Sequence, residues 1–301
     1  MLRTSLKSFL AVVRHGSIRA ASAELNLAQS AISRQLQALE HQVGTLLLER
    51  RPRGVVPTEA GLLLLRYARS AAHDVDRLMS EIDALRGLER GQLRITAIES
   101  LVPTLLPQVI DRFRRRHPGV TFTVDVLTTD QVLTQLREGD ADIGIGFSPP
   151  PSPDIAVHHR VGEPLLAVMA AGHPLASAER VTLADLVRHP LGLPSSRSGA
   201  RFVFDEACRR AGVAAAPVLE TSSMELLHRF ALLGDGVTVL LRHTIGASLR
   251  RGTLRALQLE DGVLGGTLEV LTLRDRTLPL PSERFLAFLR EGLDAIPMPA
   301  A

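Results

Sequence analysis

Short helical patterns of apolar residues, separated by breaks, fill the first sixty positions. Leu6, Phe9, Leu10 and Val13 recur at helical spacing and predict a first helix with one buried face. His15-Gly16 ends it, and Ser17 is placed to cap a second helix carrying Ala20, Ala21 and Leu25. Asn26 turns the chain into a third helix, whose Ile32, Leu36, Leu39 and Val43 form one apolar stripe. Its other face is polar, with Gln29, Ser30, Ser33, Arg34, Gln37 and His41. Gly44 closes it, and Arg50, Arg51 and Arg53 then cluster around Pro52 and Gly54 between two apolar runs, the pattern of a basic hairpin. Helix, turn, helix and hairpin in this order predict a winged helix-turn-helix domain, mainly α, over residues 1–58. Small polar and guanidinium side chains on the third helix suit base edges in a major groove, and the hairpin arginines suit phosphates.

From Thr58 to about Leu88 no helix breaker follows Gly61. Leu64, Ala68, Ala71, Val75, Leu78, Ile82 and Leu85 repeat at alternating four and three, a heptad seam over a linker helix at 59–89. Roughly thirty residues at 1.5 Å each make a rod of about 45 Å. A two-fold DNA site is best read by a two-fold protein, so this seam is the expected dimerisation surface.

Beyond Gly87–Gly91 the pattern switches to alternating strands and helices. Strands are expected at Gln92–Ile98, Val120–Val126 and Ala141–Phe147, with helices at Pro103–Arg116 and Asp130–Glu138. The Pro-Ser loop Ser148–Pro153 is a candidate hinge. Strands near Ala156–Val161 and Leu165–Ala170 follow, then helices near Leu183–Val187 and Arg201–Ala211 and a strand near Val218–Thr221. Helix Met224–Leu233, strands Val237–Leu241 and Thr267–Leu273, and helix Ser282–Asp294 complete the series. Repeated βαβ units imply an α/β domain over 90–301 with mostly parallel sheets. It divides into lobe 1, about 90–162 and 267–301, and lobe 2, about 163–266.

Composition sharpens this picture at two points. The chain has 301 residues and a net charge of +3, and Lys7 is the only lysine. Residues 1–90 hold thirteen Arg or Lys against nine Asp or Glu, whereas the remainder holds 22 against 23, so cationic charge gathers at the DNA-reading end. The lone cysteine, Cys208, excludes an internal disulfide framework. The early apolar run Phe9–Val13 is cut by Arg14-His15, too short for a secretory signal, and no membrane span is expected. A cytoplasmic location follows as the expectation.

The run Phe9–Val13, then Gly16-Ser17, Ala20-Ala21, Leu25 and Ala28–Ser33, resembles the LysR-type transcriptional regulators. Gln35-Leu36, Leu39-Glu40, Gly44, Leu47, Arg50 and Thr58–Gly61 extend the likeness over the first sixty residues. Leu48, Pro57 and Ile18 depart from it by apolar exchanges. The resemblance implies dimerisation through the linker helix, assembly to a homodimer and further to a homotetramer, and a two-lobed domain of the periplasmic-binding-protein type II kind. It also implies a small-molecule effector, anionic or polar, in the cleft between the lobes, with RNA polymerase as a further candidate partner. In such a fold ligands lie beyond the carboxyl ends of strands, facing helix amino ends. Ser100 and Leu101 follow the first strand, Thr128 and Thr129 the second, and Ser196 and Arg197 precede a helix of lobe 2. Family position adds Phe147 and Phe202. Some relatives that bind aromatic or dicarboxylic acids carry Arg where this chain has Phe147, which weighs against a two-carboxylate effector.

Other classes of function fit poorly. Gly144-x-Gly146 and Gly234-x-Gly236 lack the rest of any phosphate-binding or dinucleotide pattern, and no nucleophile elbow occurs. His158-His159 on a strand would face opposite sides, so no metal site is expected, and no cofactor either. A solute-binding receptor would leave the first ninety residues unexplained. An oxidoreductase would need a phosphate loop that is not found. The expectation is a regulator, not an enzyme.

Overall fold

The structure, a computed structural model, describes residues 4–52, 54–85, 90–259 and 264–295. Arg53 and residues 86–89, where the linker was expected to end, lie outside the described residues. The chain separates into two compact units that divide near residue 87.

In the amino-terminal unit, α1 (Thr4–His15), α2 (Ile18–Leu25) and α3 (Gln29–Val43) are followed by the hairpin β1 (Leu48–Arg51) and β2 (Gly54–Pro57), then by α4 (Glu59–Leu85). The caps fall where polar residues permit. The Ser17 hydroxyl accepts from the Ala20 N–H, and Asn26 and Gly44 close α2 and α3 in the left-handed conformation. Thr58 caps α4 by accepting from the Gly61 N–H at 3.0 Å, a contact of about 1 kcal/mol. Phe9, Val12, Ala21, Ile32, Leu36, Leu39, Leu47 and Leu65 form the core. Two polar ties hold α3 within it. The Ser8 hydroxyl donates to Gln35 at 2.5 Å, and the Glu40 carboxylate accepts from the N–H groups of Leu47 and Leu48 at the root of the hairpin. Gly54 can only be glycine, since its φ is 129° and a Cβ there would lie 2.4 Å from the Gly16 carbonyl oxygen. That close approach lets the Val55 N–H bond Gly16 and fixes the hairpin against the α1–α2 turn.

The start of α4 belongs to this core, and that changes the expected seam. Leu65 is buried in this cluster, Ala60 and Leu64 pack against it, and Ala68 is wholly buried. Leu63 and Tyr67, which the heptad left out, are 62% and 65% exposed. Ala71, Val75 and Ile82 are half-buried and Leu78 is exposed; the Leu85 side chain lies outside the described residues. The apolar face still open on α4 is therefore rotated toward Leu63, Tyr67 and Leu78, because the first turns also close the helical core.

The carboxy-terminal unit begins with β3 (Arg90–Ala97), a 3-10 turn Glu99–Leu101, α5 (Leu105–Arg116), β4 (Gly119–Val126), α6 (Thr129–Glu138) and β5 (Ile143–Phe147). Next come β6 (Ile155–Ala170), α7 (Leu183–Leu186), β7 (Leu191–Pro194), α8 (Gly199–Ala211), β8 (Leu219–Thr221) and α9 (Met224–Leu232). It ends with β9 (Val237–Leu241), α10 (Arg242–Arg251), β10 (Leu254–Leu257), β11 (Gly265–Leu273) and α11 (Leu280–Asp294). The strand order is β4-β3-β5-β11-β6-β9-β7-β8, with β10 on a further stretch of β6. The pairs β3–β4, β3–β5, β7–β8 and β7–β9 are parallel, and β6 and β11 run antiparallel to each other.

Strand β6 corrects the expectation of two separate strands. Gly162, Glu163 and Pro164 stay extended, and Pro164 sits opposite Gly265 at the end of the β6–β11 ladder, where its missing N–H does little harm. The first half of β6 thus serves the lobe 1 sheet and the second half, from Leu165, pairs with β9 and β10 in lobe 2. The loop Ser148–Pro153 joins two strands of lobe 1, so it is not the hinge; β6 and β11 carry the chain between lobes. Helix α5 starts at Leu105 rather than Pro103, and β7, α10 and β10 were not anticipated.

Four of the nine Phe residues, Phe113, Phe122, Phe285 and Phe288, pack edge to face under lobe 1 with centroids 5.0–5.9 Å apart. Asp142 is buried but paired, accepting from the Arg94 N–H at 3.1 Å and from Arg276 at 3.2 Å. In lobe 2 the His173 ring accepts from the Leu175 N–H at the start of a 3-10 turn and stacks edgewise on His189. Burial first, then the charge of His189, push the His173 pKa below its ordinary value, against the pull of Asp235. A depressed histidine stabilises the fold above pH 6.5 and loses that contribution as pH falls below it. His173→Asn keeps the cap and removes the titration. We expect its unfolding free energy, followed in urea, to fall less steeply than wild type between pH 7.5 and 5, with a cost at pH 7.5 within about 1 kcal/mol.

Candidate functional site

Two surfaces carry the chemistry, one in each unit. On α3 the stripe Gln29, Ser30, Arg34 and Gln37 is exposed, with Ser33 half-buried between them. The residue capping its start is Ala28, which offers no side-chain acceptor, so the first-turn N–H groups keep their partial positive charge for an outside anion. Arg50 and Arg51 are exposed on the hairpin, Arg51 in a 3.2 Å ion pair with Glu49, itself 52% exposed and therefore weak. Gln35, by contrast, is turned inward to Ser8 and serves the core.

In the second unit a cavity of about 230 Å³ lies between the lobes. Lobe 1 lines it with Ile98, Glu99, Ser100, Thr128, Thr129, Gln131 and Phe147, and lobe 2 with Ser195, Ser198, Gly199, Ser222, Met224 and Leu241. Most of them sit where a strand leads into a helix or turn, although the sheet is mixed: β5–β11, β6–β9 and β6–β10 pair antiparallel, against the expectation of mostly parallel sheets. The hydroxyls are not equivalent. Thr129 is buried, accepts from the Phe147 N–H and donates to the Phe147 carbonyl, both at 3.2 Å, so its role is to clamp β5 to α6. Thr128 is engaged by Gln131 through both its N–H and its hydroxyl. Ser100 is 96% buried, lines the cavity, and has no hydrogen-bond partner among the described contacts. Ser198 opens α8 without a side-chain cap, leaving that amino end turned to the cavity.

The remaining expected residues lie elsewhere. Leu101 is wholly buried in the lobe 1 core, as an apolar side chain after a strand should be. Ser196 and Arg197 are exposed and off the wall, and Phe202, 66% exposed, borders a different depression beside Glu206 and Leu264. The basic residue nearest this loop in the ion-pair network is Arg201, held by Asp205, Glu220 and the Pro194 carbonyl. Ser222 and Met224 were missed, though the signal was present: Leu219–Thr221 followed by two serines and a helix repeats the arrangement around Ser100. No helix among the described residues is long and apolar enough to cross a membrane.

Comparison with known proteins finds relatives for both units. Residues 4–62 match the model of the bacterial regulatory helix-turn-helix protein, lysR family, and residues 86–294 match that of the LysR substrate binding domain. The HTH-type transcriptional activator CmpR of Synechocystis sp. is 27% identical over 93% of this chain and 92% of its own. A RuBisCO operon transcriptional regulator of Acidithiobacillus ferrooxidans is 32% identical over 84% of this chain and 81% of its own. In fold, full-length OxyR from Pseudomonas aeruginosa superposes with a TM-score of 0.76 at 20% identity, covering 98% of this chain and 95% of that one. Full-length CbnR complexed with its target DNA gives 0.65 at 24%, covering 97% and 100%.

One contact at the back of the cavity is directly testable. A Cβ on Gly199 would lie 2.4 Å from the Phe147 carbonyl oxygen, so α8 of lobe 2 approaches β5 of lobe 1 only because glycine is there. Gly199→Ala must push the two apart. The expected cost is about 1–3 kcal/mol in urea unfolding, and an unchanged midpoint would mean that the approach is not made.

Proposed function

The chain belongs to the LysR family of transcriptional regulators, DNA-binding proteins with an effector-binding domain and not enzymes, and on that premise we propose how its own residues share the work. Arg34, Ser33 and Gln37 on α3 read base edges, and Gln29 and Ser30 at its amino end meet phosphate and the first bases. Arg50 and Arg51 on the hairpin hold phosphates. Arg53 is assigned to the same role from its place in the sequence. The observation that carries this is the exposed polar stripe on α3 opposite its buried Ile32, Leu36 and Leu39, with an uncapped amino end.

The apolar face of α4 joins two copies, and a further pairing gives a tetramer. The protein acts in the cytoplasm, with RNA polymerase as a candidate partner at the promoter. A small polar or anionic metabolite occupies the cavity and takes hydrogen bonds from Ser100 and from the amino end of α8. It shifts the DNA-bound assembly only to the extent that it binds one lobe arrangement better than the other.

Two experiments test the assignment. By fluorescence anisotropy, Arg34→Ala should cost about 1–3 kcal/mol on operator DNA and much less on random duplex. Arg50→Ala should weaken both alike and reduce the salt slope by about one. Equal losses on both duplexes for Arg34→Ala would remove its base-reading role. Separately, Val75→Glu with Leu78→Glu should leave monomers in sedimentation at micromolar concentration; persistent dimers would place the interface elsewhere.

A further inference from the structure

Among the described residues around the cavity, Glu99 alone carries an ionisable side chain. It is half-buried, and one carboxylate oxygen is engaged across the lobes. Oε1 accepts from the Ser223 hydroxyl and from the Glu225 N–H, both at 3.2 Å. Glu99 stands on the turn after β3, in lobe 1, and Ser223 and Glu225 form the amino end of α9, in lobe 2. Ser223 is already that helix's cap, accepting from the Leu226 N–H. The Glu225 carboxylate is turned away, into His228 and Arg229. A single negative charge from one lobe therefore completes a helix start in the other, beside the ligand space, where charge and helix dipole attract.

This placement divides the cavity into two unlike ends. At α8 lie donors without a formal charge, Ser198 and the uncapped first-turn N–H groups, and the Ser100 hydroxyl is a further donor on the lobe 1 wall. Such an end suits one acidic group. Toward α9 lies a carboxylate with a second oxygen to offer, which suits a hydroxyl or an ammonium group and repels another acid in this partly desolvated space. No Arg, Lys or His among the described lining residues offsets that repulsion.

We propose that Glu99 is the selectivity residue of the cavity, admitting small monoacids whose far end carries hydrogen-bond donors and rejecting diacids. This rests on the reading that the effector occupies this cavity. A ligand of that kind bridges the two ends without displacing the contact between Glu99 and α9, so the lobes stay closed around it. A diacid fits only if Glu99 leaves α9, which loosens the lobes and forfeits the closure.

The probes are glycerate and tartronate, which share one carboxylate and one hydroxyl-bearing carbon and differ in a CH₂OH against a second carboxylate. Both are titrated by calorimetry into the full chain as wild type, Glu99→Gln and Ser100→Ala. Each variant is first checked for an unchanged circular dichroism spectrum and cooperative unfolding. Wild type should prefer glycerate by at least tenfold. Glu99→Gln, which keeps the acceptor and removes the charge, should narrow the preference to under threefold, chiefly by gaining tartronate affinity. Ser100→Ala should weaken both acids. An unchanged preference in Glu99→Gln, with binding still sensitive to Ser100→Ala, overturns the selectivity role and leaves the cavity reading standing. Binding indifferent to Ser100→Ala places the acids elsewhere and overturns both. Failure of glycerate to saturate wild type overturns the proposed ligand class. As a ligand-free readout, the Glu225 amide should exchange faster in Glu99→Ala than in Glu99→Gln; equal rates would overturn the contact on which the proposal stands.

Discussion

Two lobes share one strand, and most of the second unit's behaviour follows from that. Strand β6 is sixteen residues long, about 50 Å at the usual rise, and hydrogen-bonds in succession to the sheets of both lobes. Its neighbour β11 begins opposite Pro164, at the crossing. At that same place the buried Glu163 carboxylate accepts from the Arg242 N–H, so the crossing is pinned to the start of α10. The lobes cannot separate without breaking ladders; they can only bend about residues where few ladder bonds are made. The cavity lies beside this crossing and takes its walls from both lobes, so a ligand that touches both walls acts on the bend. That gives a small molecule leverage over the arrangement of a much larger domain, provided its affinity differs between the two bends.

Charge is distributed to match. Arginines at the amino-terminal end stand largely open on α3 and the hairpin, where a phosphate backbone would displace counterions. In the second unit many are committed to carboxylates of the same chain: Arg137 with Asp154, Arg160 with Glu269, Arg201 with Asp205 and Glu220. Hydrogen bonds from Arg137 and Ser152 hold the Asp154 carboxyl down to about 2, though the pair stands open to solvent. The ligand space is left to hydroxyls, helix amino ends and one acid. DNA recognition should therefore respond steeply to salt, while recognition in the cavity should depend on hydrogen-bond geometry.

Much of this was legible from residues alone. The helix-turn-helix could be read because Ser17, Asn26, Gly44 and Thr58 are local signals with local causes. Strand-to-helix junctions drew attention to Ser100 and Thr129 for the same reason. What escaped depended on tertiary context. Gly162-Glu163-Pro164 looks like a break, yet two neighbouring strands keep it extended. Helix α10 starts directly after β9 without a loop, so the strand pattern hides it. A heptad records an apolar stripe but not who covers it, and Leu64 packs on the core of its own helical unit. Leu101, Ser196, Arg197 and Phe202 were placed by position along the chain, and a shift of one or two residues on a turn points a side chain elsewhere. The tie between Glu99 and α9 joins residues 124 and 126 positions apart and had no sequence signature.

The central claim, a dimer that reads a specific sequence through α3, is tested most directly by titrating wild-type protein against its own upstream DNA and a scrambled duplex at several salt concentrations. A preference of roughly a thousandfold or more for the upstream DNA, retained as salt rises, is the predicted result. Equal, weak binding to both duplexes that vanishes together with salt would contradict it, leaving only the electrostatic attraction of a basic surface.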